Sequence, residues 1–63
     1  MGLVMTKEEI KALRMRLGLT QWKLAVLLGV TELTIIRWEG GKYRPSALAM
    51  EKIKQLIQSE ARV

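Results

Sequence analysis

The sequence lacks cysteine, histidine and phenylalanine, and it has one proline among its 63 residues. Without cysteine the chain can form no disulfide and no thiolate, and without cysteine and histidine it cannot build a zinc finger. The absence of histidine also removes imidazole, the commonest general acid and base. The six acidic residues are scattered, and no nucleophile stands beside a base. We therefore expect no enzymatic activity, no cofactor and no metal.

Long hydrophobic runs are also missing. No apolar stretch approaches the roughly 18 residues that a membrane span requires, and the amino terminus lacks the basic region and the apolar core of a signal peptide. Together with the absence of cysteine, these features predict a cytoplasmic protein. The length suits one small domain, and we expect residues 1–5 to be a flexible leader to it.

Aliphatic residues and positive charge dominate what is present. Hydrophobic residues make up 49% of the chain and aromatic residues 5%, which is typical of a small helical bundle packed from leucine, isoleucine, valine and methionine. Eleven lysines and arginines oppose six acidic residues, for a net charge of +5. This excess favours nucleic acid or another acidic surface as the partner. On charge alone, a solvated basic surface explains it equally well.

A capping box predicts the first helix. Thr6 and Glu9 have the required spacing, so the helix should begin at Lys7. Apolar residues then recur at helical intervals until Gly18, which supplies the left-handed conformation that ends a helix.

Two further short helices follow, with a tight turn between them. Thr20 caps a helix over 21–28 that ends at Gly29, and Thr31 caps the next helix, over 32 to about 39. Such a short connection forces the two helices to cross sharply. The apolar face of the first of these helices is assigned to Leu24, Leu27 and Leu28.

A fourth helix completes the predicted all-α fold. Gly40 and Gly41 break the third helix, and Pro45 forces the residue before it into an extended conformation. Ser46 then caps an amphipathic helix that runs to about Ser59, and residues 60–63 are expected to fray. Its apolar arc consists of Ala49, Met50, Ile53, Leu56 and Ile57.

The third helix has an unusual outer face. At about 100° per residue, Ile35 and Trp38 share the side that belongs to the core. The other side mixes an anion, a cation and two aliphatic residues, which is a poor solvated face but suits base edges in the major groove of DNA. We assign base contact to Glu32, Leu33, Ile36 and Arg37. Two short helices around a tight turn indicate a helix-turn-helix, with a four-helix interaction bundle as the alternative.

Several short motifs stand at fixed spacings between residues 10 and 57. They are Leu13-Arg14, Gly18-Leu19-Thr20-Gln21, Leu24-Ala25, Gly29-Val30-Thr31, Ile35, Trp38-Glu39-Gly40 and Arg44-Pro45-Ser46. With these motifs, residues 10–57 resemble the Cro and phage-repressor (XRE-type) helix-turn-helix family. The resemblance covers about three quarters of the chain and implies a compact, lambda-repressor-like bundle of four to five helices, here over residues 6–59. The segment WEGGKYRPS is also similar to compact HigA-like antitoxins and to short phage regulators.

The resemblance implies roles for individual residues. Arg14 and Glu39 match a pair that forms a structural salt bridge between the first and third helices. Gln21 would contact a phosphate at the start of the second helix, and Thr31 and Thr34 occupy positions where family members often touch phosphate. The basic loop after the third helix would also hold the DNA backbone, although a solvated loop is the simpler alternative. That loop contributes Lys42, Tyr43 and Arg44.

Three positions depart from the family pattern, because Trp22, Val26 and Ile36 are apolar where family members are usually polar. Trp22 and Val26 lie four residues apart on one side of the second helix. They could pack under Leu3, Val4 and Met5 of the leader, which we prefer, or form a protein interface. Apolar Ile36 weakens a purely polar base code and gives weight to methyl contacts and DNA shape.

These features predict a sequence-specific regulator that binds double-stranded DNA. We expect a repressor that acts as a homodimer, with its recognition helix, residues 32–39, in the major groove. The dimer could form through the fourth helix or the leader, and the sequence does not decide between them. The alternative is an antitoxin or adaptor whose main role is to bind a partner protein, such as a toxin.

Overall fold

The computed structural model describes residues 5–61, with side chains up to residue 59. It contains four helices, α1 (Lys7–Arg16), α2 (Gln21–Leu28), α3 (Glu32–Glu39) and α4 (Ala47–Ala61). Within that range there is no strand, so the predicted all-α class is confirmed. The bounds of the first three helices agree with the sequence prediction.

Side-chain caps start the helices where the sequence indicated. The Glu9 amide donates to Thr6 Oγ1 at 3.1 Å, and the Thr6 amide donates to Glu9 Oε1 at 2.8 Å. This is a complete capping box. The Lys23 amide donates to Thr20 Oγ1 at 3.0 Å, and the Ala49 amide donates to Ser46 Oγ at 3.2 Å.

The first three helices all end in a Schellman motif, in which two amides beyond the helix return to carbonyls of its last turn. After α3, the Gly41 amide donates to the Trp38 carbonyl at 3.1 Å, and the Lys42 amide donates to the Arg37 carbonyl at 3.2 Å. Of the paired glycines, Gly41 takes the left-handed conformation, at φ +79°, whereas Gly40 stays in the helical region at φ −81°. A substitution at Gly41 would therefore strain the backbone, because residues with a side chain rarely adopt this conformation.

The core lies between all four helices and is wholly apolar. Among its members, Leu24, Ile35 and Ile53 are the large side chains with almost no exposure. Half-buried residues close its edges, including Met50, Leu56 and Ile57 of the predicted α4 face. The buried side chains that form this core are Ile10, Leu13, Leu24, Ala25, Leu28, Ile35, Trp38, Ala49 and Ile53.

The predicted apolar face of α2 is wrong at one residue. Leu27, which was predicted to lie on this face, is 49% exposed, whereas Ala25, which was not, is buried in the core. Leu27 lies about 100° from Leu28, on the side away from Ala25, so it points away from the other helices.

Two observations concern the ends of the described chain. Helix α4 continues to Ala61, two residues past the predicted helix end at about Ser59. Met5, the last residue of the predicted leader, packs against the core. The remainder of the leader, 1–4, and positions 62 and 63 lie outside the described residues.

Candidate nucleic-acid interface

Helix α3 presents its predicted base-contact residues on one exposed face. Ile35 has no solvent exposure, whereas its neighbour Ile36 is 45% exposed and Leu33 is 51% exposed. Glu32 and Arg37 are exposed as well. The face therefore combines a hydrogen-bond donor, an acceptor and two aliphatic side chains, which together match the groups that base pairs display in the major groove.

An ion pair holds the opposite side of α3 against α1. Arg14 Nε donates to Glu39 Oε2 at 2.6 Å, and Arg14 Nη2 donates to Glu39 Oε1 at 3.0 Å. The third contact of the guanidinium, from Nη1, is to the Leu19 carbonyl at 2.9 Å. This is the bridge that the resemblance implies, and its bidentate geometry fixes direction as well as distance.

The bridge is largely removed from solvent. The Arg14 and Glu39 side chains keep 15% and 6% of their exposure. Hydrogen bonding of the guanidinium to the Glu39 carboxylate, which accepts, raises the pKa of Arg14 above its already high ordinary value. Because even the ordinary pKa of arginine lies far above neutral, the side chain is charged across the physiological range, and the stabilisation that the raised pKa expresses is fully present there.

Gln21 joins this pair, which the sequence did not predict. Its Nε2 donates to Glu39 Oε1 at 3.3 Å, and the side chain is half-buried at the start of α2. A primary amide carries two N–H groups, so one remains for another acceptor. The residue links α2 to the end of α3 and can still donate outward.

The threonines at the start of α3 are bonded to each other. The Thr34 amide donates to Thr31 Oγ1 at 3.3 Å, and the two hydroxyl oxygens lie 2.9 Å apart. Thr31 is exposed and Thr34 is half-buried. Because either hydroxyl can be the donor in this pair, the other keeps its proton for an external acceptor. Capping and phosphate contact are therefore compatible here.

The loop after α3 is exposed and basic. Lys42, Tyr43 and Arg44 are exposed, while Pro45 behind them is buried and anchors the loop. The Arg37 guanidinium carbon lies 5.3 Å from the centroid of the Tyr43 ring, within the range of a cation–π contact. No local sequence pattern signals this contact, since the two residues are not neighbours on one helix.

Lys7 also belongs to this surface, although the sequence analysis did not select it. Its Cδ lies 2.9 Å from the place where a Cβ on Gly41 would stand, so its stem crosses the turn after α3. The exposed ammonium at the start of α1 is thus brought beside the basic loop. No local pattern could have found it, because only the packing of α1 on α3 creates the contact.

Trp22 and Val26 form an exposed apolar pair on α2. Their side chains are 59% and 50% exposed. Met5 lines a groove with Ile10 and Trp38, and neither member of the exposed pair is among the residues lining it. The predicted cover by Leu3 and Val4 lies outside the described residues.

The described part of the chain has neither a cluster of metal ligands nor a helix suited to a membrane. No group of three or more acidic residues there lies close enough to hold a metal ion. None of its helices is both long and apolar enough to cross a membrane.

Comparison with known proteins agrees with this geometry. The family profile described as helix-turn-helix matches residues 10–60. An uncharacterized HTH-type transcriptional regulator of Methanothermobacter thermautotrophicus is 43% identical over 51 residues, which are 81% of this chain and 74% of the relative. The uncharacterized HTH-type transcriptional regulator YgzD of Bacillus subtilis is 45% identical over 47 residues, 75% of this chain and 71% of the relative. No solved structure matches the chain significantly.

These matches extend over most of the described domain and include all of α2, the tight turn and α3. Two short helices crossing at a glycine turn, with the second exposing a mixed polar and apolar face, are the structural signature of a DNA-binding helix-turn-helix. The chain belongs to the XRE-type helix-turn-helix family, and α2 and α3 are its helix-turn-helix.

Proposed function

We propose that the protein regulates transcription by binding a specific sequence of double-stranded DNA, with α3 as its recognition helix in the major groove. The observation that carries this proposal is the contrast across α3, where Ile35 is fully buried and Leu33 and Ile36 are about half exposed. With its side chains an α-helix is about 10 to 12 Å across, and the major groove is about 12 Å wide. The helix therefore fits the groove.

The outer face of α3 supplies the base contacts. Arg37 can donate two hydrogen bonds to O6 and N7 of guanine, and Glu32 can accept one from N4 of cytosine. Leu33 and Ile36 can contact thymine methyl groups. Because half of this face is aliphatic, DNA shape and deformability contribute to the choice of sequence.

Contacts to phosphate position α3 in the groove without selecting sequence. The net charge of +5 supports such contacts. Gln21 and the pair of Thr31 and Thr34 each keep one hydrogen-bond donor before or at the start of α3, and the basic loop follows its end. We assign the backbone contacts to Gln21, Thr31, Thr34, Lys42, Tyr43 and Arg44, and we add Lys7.

The functional unit is proposed to be a homodimer that acts as a repressor. Two copies related by a two-fold axis place their α3 helices in successive major grooves, about 34 to 36 Å apart. A dimer bound across a promoter would block transcription by occupying the site. Such a regulator works in the cytoplasm and is associated with the nucleoid when bound to DNA.

The test is selection of bound duplexes from a random pool at about 150 mM salt, where purely electrostatic binding is weak. Enrichment of an inverted repeat with half-sites about one helical turn apart supports the dimeric regulator. Enrichment of a single half-site keeps the DNA-binding function and rejects the dimer. Binding to all DNA without enrichment rejects sequence-specific regulation by this chain and favours an adaptor or antitoxin that needs a partner protein.

A further inference from the structure

The stacked pair of Arg37 and Tyr43 gives the tyrosine a role other than contact with phosphate. The guanidinium carbon of Arg37 lies 5.3 Å from the ring centroid. Within the described part of the chain, Arg37 makes no ion pair and no side-chain hydrogen bond. The ring face of Tyr43 is therefore the contact that restricts this otherwise exposed cation.

The backbone holds the two residues together independently of the tyrosine hydroxyl. The amide of Lys42, the residue before the tyrosine, donates to the carbonyl of Arg37 itself at 3.2 Å. Gly41 makes the turn possible through its left-handed φ of +79°, and Pro45 is buried just beyond. The ring is thus attached to the same helical turn that carries the arginine.

We infer that Tyr43 is a positioning residue for sequence recognition, whose ring face directs the Arg37 guanidinium toward the base that it contacts. A bidentate contact to guanine needs the guanidinium plane in one orientation. A free arginine side chain loses much rotamer freedom when it adopts that orientation. The ring reduces this loss because it restricts the guanidinium before DNA arrives. This inference rests on the proposed base contact of Arg37.

The inference separates the ring of Tyr43 from its hydroxyl. If the ring matters, Tyr43→Phe keeps discrimination at the Arg37 base pair and Tyr43→Leu lowers it by roughly two- to fivefold, the range of an exposed cation–π contact. If the tyrosine only binds phosphate through its hydroxyl, Tyr43→Phe and Tyr43→Leu weaken binding alike, and they do so equally on every sequence.

The first experiment uses the free protein. NMR of the full chain should show the δ-methylene protons of Arg37 shifted upfield by the ring current of Tyr43. Tyr43→Phe should retain this shift and Tyr43→Leu should remove it, while the melting temperature stays unchanged because the tyrosine side chain is 57% exposed. Unshifted protons in the wild-type protein would overturn the inference without reference to DNA.

The second experiment measures binding to the duplex enriched from the random pool and to the same duplex with the Arg37 base pair replaced. We take the ratio of the Kd for the replaced duplex to the Kd for the selected duplex, which measures discrimination at that base pair. This ratio should be lower in Tyr43→Leu than in the wild-type protein. Adding Tyr43→Leu to Arg37→Ala should not change the ratio further. A ratio that falls in Arg37→Ala but not in Tyr43→Leu would reject the positioning role alone. A ratio unaffected by Arg37→Ala would instead reject the proposed base contact on which the inference depends.

Discussion

The two sides of α3 differ in what holds their residues in place. On the inner side, Ile35 is enclosed by the core and Glu39 accepts hydrogen bonds from Arg14 and Gln21. On the outer side, Leu33 and Ile36 touch solvent over about half of their surface. The inner side fixes the position of α3 in the fold, and the outer side leaves its side chains free to contact another molecule. A recognition helix needs both, because a precise base contact requires a rigid support.

Truncating the two adjacent isoleucines separately should give the largest difference between the sides of α3. Ile35→Ala removes a fully buried side chain and should cost about 2 to 5 kcal/mol of unfolding free energy. Ile36→Ala removes an exposed side chain and should change stability by less than about 0.5 kcal/mol, while it weakens binding wherever a thymine methyl is contacted. Denaturant unfolding and binding to the selected duplex measure the two effects.

Equal stability losses in the two variants would show that the sides of α3 do not differ as described. The same conclusion would follow if Ile35→Ala, assayed where it remains folded, altered base preference and Ile36→Ala did not.

Removing the arginine of the ion pair should have the next largest effect. Arg14→Ala leaves Glu39 mostly buried without its charged partner, at an expected cost of about 3 kcal/mol of unfolding free energy, the lower end of the range for buried pairs. We place it there because Arg14 keeps 15% exposure. Lys11→Ala, an exposed position on the same helix, is the matched control. An unchanged melting temperature in Arg14→Ala would remove the structural role of the pair.

On the outer side, Arg37→Ala should reduce binding without reducing stability. The loss of a bidentate base contact costs about 1 to 3 kcal/mol of binding free energy and relaxes specificity at one base pair. Repeated selection from the random pool with the variant would reveal the relaxed position. A uniform loss on all duplexes would assign Arg37 to the DNA backbone instead.

Lys42→Ala should have the smallest effect and no sequence dependence. A lysine that contacts phosphate contributes about one unit to the slope of log Kd against log salt concentration. The variant should lower that slope on specific and random duplexes alike, whereas Lys54→Ala, which removes a lysine paired with Glu51 on α4, should leave it unchanged. A loss confined to the selected duplex would move Lys42 into the set of base contacts.

Local signals predicted the helices well, because each signal acts within a few residues. The hydroxyls of Thr6, Thr20 and Thr31 accept hydrogen bonds from amides three residues later, and glycines at 18 and 29 take left-handed conformations. The prediction failed where neighbouring faces of a helix are both apolar. Helical spacing places Leu27 on one apolar face with Leu24 and Leu28, yet the position of the other helices leaves it 49% exposed.

Several site contacts could not be derived from the sequence, since they join residues that are distant along the chain or lie on different elements. The bond from Gln21 to Glu39, the stacking of Arg37 on Tyr43 and the passage of Lys7 across Gly41 all belong to this class. The Arg14 pair was expected only through resemblance to a family, which carries information about tertiary contacts that spacing alone does not.

Capping, left-handed glycines and helical periodicity are local effects, so the sequence is enough to predict the bounds of α1, α2 and α3, the turn between α2 and α3 and the mixed character of the outer face of α3. Tertiary packing decided which of the neighbouring apolar residues of α2 are buried and which charges meet. Those outcomes depend on how α1 and α4 pack against the helix-turn-helix. Burial and ion pairing are properties of the assembled surface and not of any one segment.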